Sequence, residues 1–498
     1  MTVLIWATLL LPLLLPLLAV CQLPERLLRL ALPWLPIPGL LLALSYDTAW
    51  VLHLPFLLLG ASWGLDELRQ LMLLAATLLW FCAGLYASAY IRADGLKRFC
   101  VLWALTLTGN LGLILSLDLA SFYTFFALMT FAGYGLVIHE RSGEALRAGK
   151  VYLVMAIAGE MAVLSGLLMA SHQAGSLQLA NLPEAVAAAD GGLWIFALLL
   201  VGFGVKAGLP LLHFWLPLAH PAAPTPASAV LSGAMIKAGL LGWLLVLPVG
   251  LPGYTGLGQT LLVLGAVGSL GGAAMGLFQQ RPKTILAYSS ISQMGLMTLL
   301  VGSAIAAPAQ ASLIVPVAAL YALHHGLAKG ALFLAVGLKW AASGWGRWLF
   351  WALIILPGLA LAGLPFTSGA AAKLAMKAAL TPDDLGFVLA NLLPALMAAG
   401  AVATTLVILH YLVRLRATVV EGHNAAGILA GWGGLTFVSL VLFWWLPWPQ
   451  VGKLMSLAQL GGFKDIWGLT WPMLAACVMA WPWLRRVLSG PQPGPHTP

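Results

Sequence analysis

Charge is what this chain has least of. Only 8% of its 498 residues are Asp, Glu, Lys or Arg, against a hydrophobic share of 61% and a mean hydropathy of +0.98. A soluble domain carries about 25% charged residues, so a water-soluble globular fold is excluded. Cysteine is also scarce. Cys21, Cys82, Cys100 and Cys477 are scattered and form no CxxC pair, which argues against a zinc site, an iron–sulfur site or a disulfide framework. No GxGxxG or GxxxxGK(S/T) opens a helix, so no nucleotide site is evident and no cofactor is expected. The net charge of +9 does not point to nucleic acid, because the basic residues fall mostly in short loops.

What the chain does have is apolar runs of about 20 residues, each long enough to span a bilayer. The pattern predicts an all-α polytopic membrane protein with about 14–15 transmembrane helices. Spans are expected near 3–22, 27–45, 71–91, 99–118, 119–139, 151–171, 191–218, 227–250, 257–279, 283–306, 309–340, 349–380, 385–415, 426–448 and 465–486. The 21 Trp residues suit belts at the two bilayer surfaces. The run Val3 to Val20 has no basic residue before it and no clear cleavage site, and reads as a retained first span rather than a signal peptide. Little follows residue 488, so no long lateral C-terminal helix is expected. The amphipathic stretch 46–70 is expected to form a surface helix.

Basic residues cluster in alternate loops: Arg26 and Arg29, then Arg92, Lys97 and Arg98, then Arg141, Arg147 and Lys150, then Arg281 and Lys283, Arg347, Arg414 and Arg416, Arg485 and Arg486. Arg69, Lys453 and Lys464 are the exceptions. The positive-inside rule then puts the N-terminus outside and the C-terminus in the cytoplasm of a bacterial inner membrane.

Against this background five lysines stand out. Lys206, Lys237, Lys329, Lys373 and Lys377 lie inside or at the end of apolar, glycine-rich stretches. An ammonium in hydrocarbon costs roughly 2.5–3.5 kcal/mol on insertion scales, so such groups line a hydrated path or pair with a carboxylate. That points to ion or proton movement. Two of the spans carry helix breakers beside their lysine: Gly208 and Pro210 after Lys206, and Gly363, Pro365 and Gly369 before Lys373. Breakers at membrane depth unwind a helix. The two broken spans are the seventh and the twelfth, five apart, so they run in opposite directions. This is the pattern of an inverted repeat of five helices. The organisation expected is N-terminal spans over 1–98, a first repeat over 99–250, a second, inverted repeat over 257–417, and C-terminal spans over 426–498.

Four segments carry a resemblance. The chain reads KAGLPLLHFWLPLAHPAAPTPASAVLSGAMIKAG at 206–239, RPKTILAYSSISQMG at 281–295, HHGLAKGALFLAVG at 324–337 and GLPFTSGAAAK at 363–373. It resembles the antiporter-like proton-translocating family: the large membrane subunits of respiratory complex I, the matching subunits of membrane-bound hydrogenases and formate hydrogenlyase, and the Mrp-type antiporters. The resemblance implies that Lys206, Lys237, Lys329 with His325, and Lys373 form a polar axis along the membrane plane. The family's glutamate in the fifth helix falls on Ala127, and the Asp of its Trp-Leu-Pro-Asp-Ala-His falls on Leu218. Glu160, an unusual intramembrane carboxylate in the sixth span, is the candidate substitute partner for Lys206.

His213, Lys377 and His410 are secondary candidates for the path. His324 is expected to be structural, Asp118 interfacial, and the segment from His220 to Pro226 a rigid connector. The function implied is a proton-translocating membrane subunit of a larger respiratory or hydrogenase-type complex, without a redox centre of its own. Its partners would be other membrane subunits, with a peripheral redox or carbonic-anhydrase-like module. A cation/proton antiporter subunit of the Mrp type and a coupling subunit for inorganic-carbon uptake are the alternatives.

Overall fold

The structure, a computed structural model, describes residues 1–45, 50–340, 345–380, 387–418, 420, 422–446 and 462–489. Lys453, the loop 381–384 and Pro498 lie outside them. Thirteen helices among the described residues are long and apolar enough to cross a bilayer. α1 is Thr2–Val20. α2 (Glu25–Ala31) and α3 (Ile37–Ala43) stack end to end across Pro33 and Pro36 as a second span. α4 (Glu67–Tyr90), α5 (Leu96–Leu115), α6 (Leu119–Val137) and α7 (Gly143–Ala174) follow, then a short α8 (Leu182–Ala188).

The seventh span is broken into α9 (Gly192–Ala207) and α10 (Trp215–Ala222). α11 (Thr225–Val230) and α12 (Lys237–Val246) are joined by a π-helical turn at Leu231–Met235. α13 (Thr255–Leu277), α14 (Pro282–Ala306) and α15 (Ala311–Ala335) are unbroken. The twelfth span splits into α16 (Trp345–Ala362) and α17 (Ser368–Ala379). α18 (Phe387–Thr418), α19 (Ala426–Trp445) and α20 (Phe463–Ser489) complete the chain. Every expected span thus coincides with a helix or a broken helix. The two outside the thirteen are the interrupted α9–α10 and α20, which holds Pro472 and Pro482.

Within the stretch 46–70 the described residues correct the sequence reading. Instead of a surface helix, residues 51–64 form an antiparallel hairpin, β1 (Val51–Leu54) with β2 (Ala61–Gly64), Val51 opposite Gly64 and Leu54 opposite Ala61, and Glu67 onward already belongs to α4. Pro55 has no N–H for a helix to use, and Gly60 turns the chain at φ +99°. Asp118 holds the hairpin down. It is buried rather than interfacial; its carboxylate accepts from Ser121 N at the start of α6 (2.8 Å) and from Ser62 N of β2 (2.7 Å).

Small residues let the inner helices approach closely. A Cβ on Gly265 of α13 would sit 2.7 Å from Gly295 O of α14, and one on Gly302 would sit 2.8 Å from Gly258 O. The most buried spans are α11–α12 and α14, followed by α4, α5 and α15. The loops segregate onto two faces. Arg29 donates to Ser88 O and Ile91 O at the end of α4, and Arg281 before α14 pairs with Glu144 at the start of α7. Arg98, after the third span, donates to His139 O after the fifth, so the basic loops after the first, third, fifth and ninth spans share a face. Arg69, an exception in the loop count, lies on the opposite face. It is buried, paired with Asp66 and bonded to Ser116 O.

Candidate functional site

Both helix breaks are built the same way. Each reads Gly-Leu-Pro followed by an apolar residue. Gly208 and Gly363 adopt φ of +77° and +98°, and the residues after the prolines, Leu211 and Phe366, also take positive φ (69° and 64°). Left-handed backbone costs a side-chain-bearing residue about 1–2 kcal/mol, so the packing around each break must hold it. At both breaks a helix ends inside its span, leaving carbonyls at its C-terminus that favour a cation.

Lys206 sits in the last turn of α9. Its Nζ donates to Thr130 Oγ1 (2.8 Å) and lies 3.5 Å from the Tyr152 hydroxyl. It also stands over the rings of Phe126 (5.5 Å) and Tyr152 (5.7 Å). Glu160 of α7 lines the same cavity of about 10 Å³, the size that one water molecule needs. The Thr130 hydroxyl lines that cavity between the carboxylate and Lys206, the carboxylate lies within electrostatic reach of the Lys206 charge, and its Oε1 is buried with no hydrogen-bond partner. No ion pair joins Lys206 to Glu160, so the two are neighbours without touching.

Lys237 and Lys329 occupy the middle. The π turn before α12 exposes Ser232 O, which accepts from Lys237 Nζ at 2.6 Å. Such π turns recur at functional sites. A cavity of about 20 Å³ between Lys237 and Asn110 adjoins it. Lys329, wholly buried on α15, donates to Leu286 O of α14 (3.0 Å). His325 lies within electrostatic reach of both lysines, and neither of its ring nitrogens has a hydrogen-bond partner.

Sequence reading passed over two histidines here. His220, assigned to a rigid connector, is fully buried, stacks on Phe333 at 4.5 Å and faces the charges of Lys237, Lys283 and Lys329. A histidine inside the apolar 206–239 segment was the available signal. His324, expected to be structural, is the residue that reaches the second break: it bonds Ser368 Oγ through Nδ1 at 2.8 Å and lies between the charges of Lys237 and Lys373. Ser368 in turn donates to Ser439 O. Lys373 folds back across the break and donates to Ala362 O, at the end of α16.

The secondary candidates lie apart. Lys377 is exposed one turn beyond Lys373. His213 is half-buried in the first break, against Phe214 and Tyr288. His410 bonds Gln279 O (2.7 Å) and borders a cavity of about 300 Å³ with Arg414 and Trp483. Among the described residues no group of three or more His, Cys, Asp or Glu could hold a metal ion.

Residues 116–398 match the family model described as NADH:quinone oxidoreductase/Mrp antiporter, transmembrane. The chain is 31% identical over 296 residues to hydrogenase-4 component B of Escherichia coli (strain K12), covering 57% of this chain and 44% of that one. It is 32% identical over 281 residues to NADH-quinone oxidoreductase subunit N of Chromohalobacter salexigens, covering 52% of this chain and 57% of that one. The chain thus spans about half the length of these relatives. Its fold is similar to a chain of the Mrp complex from Dietzia sp. DQ12-45-1b, with a TM-score of 0.78 at 21% identity over 99% of this chain and 57% of the other.

Proposed function

Because the chain belongs to the NADH:quinone oxidoreductase/Mrp antiporter transmembrane family, we propose that it is a proton-translocating membrane subunit of a larger respiratory or hydrogenase-type complex. One observation carries the reading: Lys206, Lys237 and Lys329 are buried, and Lys373 partly buried, in apolar surroundings, with hydroxyls and carbonyls as their hydrogen-bond acceptors. A permanent ammonium so placed is costly. A group that loads and unloads a proton is not held in the costly state throughout the cycle.

Lys206 with Glu160 forms the first half of the relay. Lys237, His325 and Lys329 form its middle, and Lys373 its second end. His213, Lys377 and His410 serve delivery and release at the margins. Each proton changes the affinity of its neighbours for the next, because Lys237, Lys329 and His325 feel one another's charge. The drive comes from partners: other membrane subunits, and a peripheral module that is either redox-active or carbonic-anhydrase-like. The subunit lies in a bacterial inner membrane with its basic face, and its C-terminus, toward the cytoplasm.

The test is proton translocation in inverted membrane vesicles containing the assembled complex. Lys237→Ala should abolish it while leaving the partner subunits bound; undiminished translocation rules the relay out. Proton flux that instead requires Na⁺ or K⁺ and no redox substrate would assign the chain to the Mrp-type antiporters. A reporter fused to the C-terminus should be active only on the cytoplasmic side.

A further inference from the structure

Lys206 and Glu160 share a cavity but are not in contact, and one side chain faces both. Thr130 of α6 accepts from Lys206 Nζ at 2.8 Å and lines the cavity beside the Glu160 carboxylate. Its own hydroxyl proton is parked on Phe126 O, one turn back, at 2.9 Å. That is an ordinary resting place for a helical threonine, and a rotation about the Cβ–Oγ1 bond turns the proton toward another acceptor while the oxygen stays on Lys206. The other hydroxyl near Lys206 is differently placed. Tyr152 already donates to Thr130 O (3.1 Å) and stands farther from the ammonium, at 3.5 Å. The bare Glu160 Oε1 is a buried acceptor with no donor.

We propose that the Thr130 hydroxyl is the link through which a proton passes between Lys206 and Glu160. The step is a double transfer. An Nζ–H bond of the Lys206 ammonium breaks as its proton bonds to Thr130 Oγ1. The original Oγ1–H bond breaks as that proton bonds to the Glu160 carboxylate. Ammonium and carboxylate become amine and carboxylic acid, and the threonine is regenerated. No oxidant, reductant or cofactor is needed. The local net charge is zero before and after, so the transfer creates no unpaired ion in a dry site, which would be the expensive outcome. The small cavity beside the three groups accepts at most about one water molecule, which can extend the hydroxyl's reach but not replace it by a continuous chain.

This inference rests on the proton-translocation reading, so its test carries Lys206→Ala as an internal control. Translocation and its pH profile are measured in vesicles containing the full complex, with assembly checked in each variant. Thr130→Val keeps the shape and removes the hydroxyl. It should lower the rate about tenfold or more, short of the roughly hundredfold low end for a positioned acid–base group because one water can partly stand in for the hydroxyl, and displace the pH profile. Thr130→Ser restores the hydroxyl and should recover both rate and profile. If Thr130→Val does not assemble, Thr130→Ala against Thr130→Ser decides the same question.

Parent-like flux and pH profile in Thr130→Val, with Lys206→Ala inactive, would overturn the link and leave the relay standing. Equal impairment of the Val and Ser variants would assign Thr130 to packing and also overturn it. Parent-like flux in Lys206→Ala would remove the first half of the relay and the link together.

Discussion

Lys206 and Lys373 stand beside breaks of the same backbone design, yet they are held by different chemistry. Lys206 has a hydroxyl within 2.8 Å and a carboxylate across a one-water cavity. Among the described residues Lys373 bonds only Ala362 O, the carbonyl end of the helix before its break. The contrast extends through most of the second repeat: from Gly191 to Pro382 the chain contains no Asp or Glu, the next acids being Asp383 and Asp384. In the proposed relay the first half would discharge its lysine by neutralising a neighbour. The described residues of the second half would do so through repulsion among cations, with carbonyl dipoles as compensation. The same backbone device serves two electrostatic regimes, one set by an acid and the other by the spacing of like charges.

The largest expected effect falls where no carboxylate can substitute. Lys329→Ala and Lys373→Ala should each reduce coupled translocation by about a hundredfold or more, within the range for removing a positioned proton-transfer group, with the complex intact on native gels. Parent-like flux in either variant would end the idea of a working second half. In the first half, Glu160→Gln should cost about tenfold, less than the roughly hundredfold low end for a positioned acid–base group. Ala127→Glu, one residue from Phe126 on the face of α6 that meets Lys206, should restore part of the flux. Lack of recovery would mean that the carboxylate must come from α7.

Smaller effects sharpen the contrast. Ser368→Ala removes the bond that holds His324 at the second break and should slow translocation a few-fold without changing assembly; no change would return His324 to a structural role. The breaks themselves should respond alike. Leu211→Gly and Phe366→Gly relieve left-handed backbone at two exposed positions. Each should leave stability unchanged or raise it by at most about 1 kcal/mol, after glycine's own entropic cost. Thermal unfolding of the purified protein reads this, and opposite signs at the two sites would deny that the breaks are equivalent.

The lysines and both breaks were legible in the sequence for a single reason: a charge or a Gly-Leu-Pro in hydrocarbon has few structural explanations. The helices followed from hydropathy, including the two broken ones. What could not be read is what depends on distant neighbours. Thr130 lies 76 positions from the lysine it contacts, and His324 lies 44 from Ser368; a threonine in a span and a histidine beside another histidine carry no local mark of either role. The hairpin at 51–64 was misread as a helix because apolar residues cluster there with both periods, and Pro55 and Gly60 decided between them.

Glu160 is the residue on which the contrast between the halves turns, and infrared difference spectroscopy of the complex during proton loading reads its protonation directly. The account predicts a protonated-carboxyl band that disappears in Glu160→Gln, persists in Lys373→Ala, and is altered in Lys206→Ala. A loading spectrum in which Glu160→Gln changes no carboxyl band would contradict it, and the first half would then be a folded but silent copy of the second.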